Sequence, residues 1–521
     1  MPKLTIDNRE VEVPDGATIL DAAQAIGIEI PTLCFLDHDH APNSCFVCVV
    51  KLQGRPGLVP ACATVAADGM VVECETDEVR EARKTALELL LSDHLGDCVG
   101  PCHNLCPAHM NIPLMIRQIA AGSLRDALIT VKRDIALPAV LGRICPAPCE
   151  KGCRRGQHDA PVAICLLKRH VADVDLAAPE PYLPECQPPS GRSVAIVGAG
   201  PAGLAAAWHL LQNGHACTLF DHREKPGGML QYAVPQDTLP RGVLDAEIAL
   251  ITRLGAELAL GTRIADAPKL LDRFDAVLLA VGKLNEGGPE ALGVPASKQG
   301  IQADRTTHAT PIEGVFAAGC TFRQQKMAVR ALAEGKAAAA SSHQFLAGQK
   351  PVGPPALYTT RIGKLKEGEI AAFLTGASQA ARTEPSGGPG SGFTVDEARR
   401  EAARCLHCDC RKPASCKLRR FSAALGASPS RYDGERRRFE QVSGHPDIIY
   451  EPGKCIRCGL CVQLCADAKE DLGLTFIGRG FDVRVAVPFG RSIADGLRKV
   501  AAACAAACPT GALALRDAEE L

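Results

Sequence analysis

Apolar and polar residues alternate from the start of the chain, with Leu4 and Ile6 and then Val11 and Val13 on one face, the period of half-buried strands. A helical run follows from Ile19 to Ile26, with Gly27 placed to end it. Two more strands are expected around Val47–Leu52 and Val71–Cys74. This order suits a small β-grasp fold over residues 1–78. Residues 79–93 (VREARKTALELLLSD) form an amphipathic helical pattern that delivers His94. A Cys-rich helical stretch extends to residue 190, and RSVAIVGAGPAG (192–203) then reads as a buried strand turning on glycines into the helix LAAAWHLLQNG. Further apolar strands are ACTLFD, LLAVG (278–282) and GVFAAGC (314–320). The pattern predicts a parallel α/β fold over 191–350, a linker over 351–395 containing EPSGGPGSG, a Cys-rich segment over 396–449 and a last small domain over 450–521. Thr394 and Glu397 form a capping box opening a short basic helix ahead of RCLHCDCRKPASC. The fold class expected is multidomain, α/β and α+β.

Length and composition agree with several packed domains: 521 residues, 46% of them hydrophobic. A net charge of −1 gives no global field to draw in nucleic acid or an anionic membrane. No apolar run approaches the roughly 20 residues that span a bilayer. The start, MPKLTIDNREVEV, enters a strand pattern without a basic and apolar leader. A cytoplasmic protein without membrane insertion or nucleic-acid partner is expected.

The candidate chemistry lies in the cysteines. Nineteen of 25, with one histidine, fall into ligand-like groups: Cys34/Cys45/Cys48/Cys62, Cys98/Cys102/Cys106, Cys145/Cys149/Cys153 with Cys165, Cys405/Cys408/Cys410/Cys416, and Cys455/Cys458/Cys461 with Cys508. Disulfides would require an oxidising compartment. Zinc also takes four thiolates, but usually from two separated C-x2-C units. Cys455, Cys458 and Cys461 place three ligands in seven residues, as cubane iron–sulfur clusters do. Zinc remains the alternative for Cys405–Cys416.

The spacing of Cys34, Cys45, Cys48 and Cys62, with the strings IPTLCFLD and GLVPACAT, resembles the N-terminal [2Fe–2S] domain of the iron–sulfur subunit of respiratory NADH dehydrogenase and NAD-linked hydrogenases. The run His94-x3-Cys98-x3-Cys102-x3-Cys106-Pro107 and the string GRICPAPCEKGC (142–153) resemble the helical domain of the glutamate synthase small subunit, shared with dihydropyrimidine dehydrogenase. By that resemblance two [4Fe–4S] clusters interleave: His94, Cys98, Cys102 and Cys153 hold one, and Cys106, Cys145 and Cys149 hold the other. The family draws its last ligand from a carboxylate or amide whose aligned position here is Lys168, a cation that cannot ligate iron. Cys165, about one turn earlier on the same helical face, is the expected substitute. Residues 450–521 resemble a bacterial ferredoxin module in which Cys508, before Pro509, completes the set Cys455/Cys458/Cys461. Cys465 and Cys504 read as remnants of a lost second cluster. The insert FIGRGFDVRVAVPFGRSI resembles iron–sulfur subunits of NAD-linked hydrogenases and formate dehydrogenases.

Gly198, Gly200 and Gly203 form a dinucleotide-binding turn, and Asp221 ends the next strand where a ribose hydroxyl would sit. KPGGML (225–230, with Lys225 and Gly228), Gly282 and Gly319 resemble the remaining parts of a two-part FAD signature, with Ala202 in the turn and Cys320 where the family usually has Asp. Relatives insert an NAD(P)H-binding domain between the FAD halves; here only 31 residues separate Gly282 from Gly314, about the length of one βαβ unit. The cofactors expected are FAD, one [2Fe–2S] cluster and about four [4Fe–4S] clusters. The resemblances imply an electron-transfer subunit of a multi-subunit NAD(P)H-linked oxidoreductase, with a diaphorase-type FMN/NADH subunit, a terminal oxidoreductase subunit and possibly ferredoxin as partners. The alternatives are a stand-alone FAD-dependent reductase, a glutamate-synthase-type small subunit, or a scaffold with a structural flavin. No acid–base constellation marks a catalytic residue.

Overall fold

The computed structural model describes residues 1–521 except 285–287, 298–299, 389, 433 and 517–521. The chain folds as two compact units, each assembled from separated segments. The first comprises Met1–Val99, Leu357–Gly376 and Cys408–Leu521; the second comprises Gly100–Ala356 and Ala377–His407. Unit boundaries therefore fall inside the expected segments 79–190 and 396–449.

In the first unit, a five-stranded sheet runs in the order Arg9–Glu12, Lys3–Ile6, Val71–Glu73, Val49–Leu52, Leu58–Pro60. Lys3–Ile6 pairs parallel to Val71–Glu73 and antiparallel to Arg9–Glu12. Leu4, Ile6, Val11 and Val13 point into one core with Ile19 and Leu20, as the alternation predicts. The helix Ile19–Ala25 starts at a capping box made by Thr18 and Asp21, which satisfies donors that a helix start leaves open. The expected strand from Val47 begins at Val49. The residues before it form a loop in which Phe46 has φ of +54°, a bulky side chain in a left-handed conformation incompatible with a strand.

The helix Asp77–Ser92 lies against this sheet through Arg83, whose Nε donates to the carbonyl of Val49 at 3.1 Å. The C-terminal part pairs Ile448–Tyr450 antiparallel to Leu513–Leu515. Helices Leu460–Asp467 and Ala501–Ala507 and the hairpin Thr475–Ile477/Arg484–Ala486 complete it. Cys465 and Cys504 are buried in this core, where they contact each other.

The second unit holds a five-stranded, fully parallel sheet ordered Val315–Ala317, Ala276–Leu279, Ser193–Val197, Ala216–Phe220, Glu257–Ala259. Near-continuous apolar strands such as AVLL are what a sheet covered on both faces requires. Helices Pro201–Gln212 and Ala328–Leu346 pack closely because Gly335 lies against the backbone of Ala202; a Cβ there would sit 2.1 Å from the Ala202 carbonyl oxygen. Buried Trp208 donates from Nε1 to the carbonyl of Lys132 at 3.1 Å, tying the sheet layer to the helical layer. Arg404, held within its own segment by Glu401 at 2.8 Å, anchors the segment 377–407 to that layer through Asp159 at 3.1 Å. Between Gly282 and Gly314, the described residues form one 3-10 turn, Pro289–Leu292, and a two-stranded ribbon, Ala296–Ser297 with Gly300–Ile301.

Gly335→Ala should force the two helices apart at an overpacking cost of about 1–3 kcal/mol. Circular dichroism should record a thermal midpoint a few degrees lower, while an unchanged midpoint would show that the helices can separate freely.

Candidate functional site

The clearest site is in the C-terminal part of the first unit. Cys455, Cys458, Cys461 and Cys508 line one cavity, closed by Tyr450, Leu460, Val485 and Pro509. Gly459, at φ +83°, makes the turn that starts Leu460–Asp467, placing Cys458 and Cys461 on either side of it. Cys508 follows the end of Ala501–Ala507. The backbone N–H of Arg457 donates to Cys455 Sγ at 3.4 Å. Burial pushes the Cys455 thiol up to about 11 and that of Cys458 up to about 12, so these sulfurs ionise only with a compensating cation. Among the described residues no three His, Cys, Asp or Glu side chains converge tightly enough for a single ion. Four thiolates facing one cavity are the donor set of a cubane cluster rather than of a single ion.

The N-terminal set is also assembled. Cys34, Cys45, Cys48 and Cys62 are all buried. Cys48 Sγ lies 3.3 Å from Cys62 Sγ, and the backbone N–H of Ser44 donates to Cys34 Sγ at 3.3 Å. The hydrogen bond from Cys45 lowers Cys34 to about 5, and that from Cys62 lowers Cys48 to about 7. Each pair thus holds one sulfur ready to ionise.

Cys34, Cys45, Cys416 and Cys458, which sequence assigns to three different groups, share one buried apolar cluster with Leu33, Leu87 and Phe421. The Cys-rich loop reaches this core because Lys412 donates to the carbonyls of Ala505 and Cys508, each at 2.8 Å. The backbone N–H of Cys410 donates to the carbonyl of Cys98 at 3.4 Å. Burial first, and then the charges of Cys410, Cys98 and Cys508, push the Cys416 thiol up to about 12.

Lys454 stands beside this group, buried and ion-paired with buried Glu451. The space for its stem exists because position 96 is a glycine, and Gly511 makes room for Cys410 beside it. A Cβ at Gly96 would lie 2.4 Å from Lys454 Cε, and one at Gly511 would lie 2.3 Å from Cys410 Sγ. His94 has its Nδ1 sealed from solvent with no hydrogen-bond partner among the described residues, and burial, with the charge of Lys454, lowers the imidazole to about 3. A neutral ring with an orphaned nitrogen is a state able to accept a metal bond.

In the second unit, Cys106, Cys145, Cys149 and Cys165 gather around the ammonium of Lys168, which lies 3.8 Å from Cys165 Sγ. Cys102, Cys153 and Cys405 are half-buried on the core of the same unit. The sequence-expected set His94/Cys98/Cys102/Cys153 therefore has its first two members in the first unit and its last two in the second. In the same way Cys405 belongs to the second unit, and Cys408, Cys410 and Cys416 to the first.

The glycine turn is built as a phosphate cradle. At Gly198 (φ +111°) a Cβ would lie 2.3 Å from the carbonyl of Ala280, and at Gly203 only 1.9 Å from the carbonyl of Gly198. Gly200 and Gly228 meet backbone to backbone, where a Cβ on Gly228 would be 2.9 Å from the Gly200 Cα. The turn leads into the N-terminus of Pro201–Gln212, which favours an anion. Asp221 is buried and accepts N–H bonds from Ala199 and Arg223, each at 2.9 Å. Gly319 (φ +72°) lies against Ala202, and Gly282 accepts from and donates to Thr321 Oγ1. Cys320 Sγ contacts the carbonyl of Gln325 at 3.2 Å. Lys225 is at the exposed mouth, its N–H on the Tyr232 hydroxyl. These groups fit a dinucleotide: Gly198, Gly203 and Gly228 leave no room for a side chain, and the acid is preorganised.

Sequence reasoning missed Lys454, Glu451 and Arg83. The only local signal was a lysine directly before Cys455, and nothing in sequence shows which lysine is buried.

Residues 2–77 match the 2Fe-2S iron-sulfur cluster binding domain family, 92–179 match dihydropyrimidine dehydrogenase domain II, 4Fe-4S cluster, and 196–253 match the NAD(P)-binding Rossmann-like domain. The chain is 39% identical over 207 residues to the NADP(+)-dependent formate dehydrogenase subunit beta of Moorella thermoacetica, covering 35% of this chain and 29% of that protein. It is 40% identical over 191 residues to the NADPH-Fe(3+) oxidoreductase subunit beta of Geobacter sulfurreducens, covering 35% and 28%. It is 37% identical over 193 residues to the glutamate synthase NADPH small chain of Mycobacterium tuberculosis, covering 36% and 39%. The match spans less than a third of the length of the first two relatives. The resemblances drawn from the cysteine spacing and the glycine turn are thus borne out: the chain joins a 2Fe–2S domain, a 4Fe–4S domain and a Rossmann-like domain. No helix among the described residues is long and apolar enough to cross a membrane.

Lys454→Met should leave the Glu451 carboxylate buried and unpaired, at about 3–5 kcal/mol. Adding Glu451→Gln should recover most of that loss. Urea midpoints of the anaerobically purified chain measure both effects, and a Lys454→Met midpoint equal to wild type would show the pair contributes nothing.

Proposed function

We propose that this chain is an iron–sulfur flavoprotein electron-transfer subunit of a multi-subunit NAD(P)H-linked oxidoreductase of the cytoplasm. The observation that carries the reading is the shared apolar cluster holding Cys34, Cys45, Cys416 and Cys458. Ligands of three candidate clusters in one dry core form a relay: the [2Fe–2S] group at Cys34/Cys45/Cys48/Cys62, the cubane group at Cys455/Cys458/Cys461/Cys508, and a cluster at the Cys408–Cys416 loop that includes Cys98. On this reading the C-terminal cluster is an interior step of the path, with the [2Fe–2S] group at the end that faces a diaphorase-type FMN/NADH subunit.

In the second unit, Cys106/Cys145/Cys149/Cys165 hold another cubane cluster, and Cys102 and Cys153 contribute to a further one. FAD is the dinucleotide the cradle at Gly198, Gly200, Gly203 and Asp221 would hold. Flavin exchanges electron pairs for single electrons, the conversion a chain of one-electron clusters needs where it meets a two-electron donor or acceptor. The 31 residues between Gly282 and Gly314 are short for a second dinucleotide domain, which favours delivery of electrons by clusters over direct hydride transfer. The relatives' printed activities, formate oxidation, Fe(3+) reduction and glutamate synthesis linked to NADP(H), mark the class of terminal subunit that would complete the path; ferredoxin is a further candidate acceptor.

Anaerobically purified protein should contain about 18 irons and one FAD per chain. In stopped-flow mixing, NADH or NADPH alone should leave the flavin oxidised over seconds, and addition of an FMN/NADH diaphorase subunit should bleach it. Rapid bleaching by NADPH without a partner would replace this reading with a stand-alone reductase.

A further inference from the structure

Lys168 is a buried cation whose surroundings are sulfur. It lies on the helix Ile164–Leu176, with only 4% of the residue exposed. Its ammonium lies 3.8 Å from Cys165 Sγ, on the side of the helix that faces Cys145, Cys149 and Cys106. Among the described residues no carboxylate forms an ion pair with it. The nearby acid, Glu150, is already engaged: Oε1 accepts the backbone N–H of Cys165 at 2.9 Å, and Oε2 pairs with Arg382 at 3.0 Å. Lys454, another buried lysine beside candidate ligands, has Glu451 as a counter-ion; among the described residues Lys168 has none.

An isolated ammonium in a protein interior costs several kcal/mol, and four neutral thiols do not offset it. Four thiolates around a cubane core would, because that assembly carries net negative charge in both of its redox states.

We propose that Lys168 is the fixed counter-charge of the Cys106/Cys145/Cys149/Cys165 cluster and sets its reduction potential above that of the same cluster without a cation. This rests on the reading above that these four cysteines hold a cluster. The step is a one-electron reduction of the iron–sulfur core with no proton transferred. The added negative charge is stabilised by an ammonium a few ångströms from the sulfur ligands, in a medium of low dielectric constant. The reduced state gains more than the oxidised state, so the potential rises. Lys168 thereby makes this cluster a better electron acceptor than it would be without the cation.

The test uses the full chain, purified anaerobically, in three variants. Cys165→Ser identifies the cluster: its iron or EPR signal must change, and if both are unaltered the site reading fails first, independently of Lys168. Lys168→Met, a neutral side chain of similar length, should keep the iron while the midpoint of that same signal in an EPR-monitored redox titration moves to more negative potential. Lys168→Arg should return the midpoint most of the way to wild type, which a packing role would not do. A Lys168→Met midpoint equal to wild type with full iron content overturns the proposal, as does a Lys168→Arg midpoint shifted as far as that of Met. If Lys168→Met loses the cluster, retention of iron by Lys168→Arg supports the counter-charge and its loss there overturns it.

Discussion

Burying sulfur charge is the constraint around which this chain is organised. A thiolate removed from water is destabilised unless a cation sits against it, and the thiols here are pushed upward by burial almost wherever they gather. The fold answers by drawing each group of cysteines from elements that stop on it. Cys461 lies in the first turn of one helix and Cys508 just past the end of another, so their sulfurs converge without any side chain having to stretch. Lysines are then positioned against the sulfur groups, Lys454 on the first unit and Lys168 on the second. Both are buried, which a lysine tolerates only beside compensating negative charge.

Much of this was legible in the residues. The alternation of Leu4, Ile6, Val11 and Val13 placed the N-terminal sheet, the capping residues Thr18 and Thr394 marked real helix starts, and the glycine turn appears where the strand RSVAIVG ends. The set Cys455/Cys458/Cys461/Cys508 could be named because three members lie within one loop and Pro509 flags the fourth. What sequence could not give depends on packing between distant segments. Nothing local shows that Cys34 and Cys458, 424 positions apart, share a core. Nor does it show that Cys98 has its carbonyl on the N–H of Cys410. Family spacing instead groups Cys98 with Cys102, which the fold assigns to a different unit. Gly96 and Gly511 read as ordinary loop glycines until their missing Cβ atoms prove to be the room for Lys454 and Cys410.

The assembly of the first unit from both ends of the chain has a functional consequence. With the N-terminal domain and the ferredoxin-like C-terminal part in one compact body, electrons need not follow the order of the sequence. The second unit adds the dinucleotide cradle and its own sulfur group around Lys168, so on the proposed reading the two-electron cofactor shares its unit with one-electron clusters.

The relay itself is most directly tested by spin coupling. With the anaerobic protein fully reduced, the [2Fe–2S] signal should show relaxation enhancement or splitting from the Cys455/Cys458/Cys461/Cys508 cluster in pulsed EPR, and Cys458→Ala should abolish it. A [2Fe–2S] signal that relaxes identically with and without the C-terminal cluster would contradict a shared core and the electron path drawn through it.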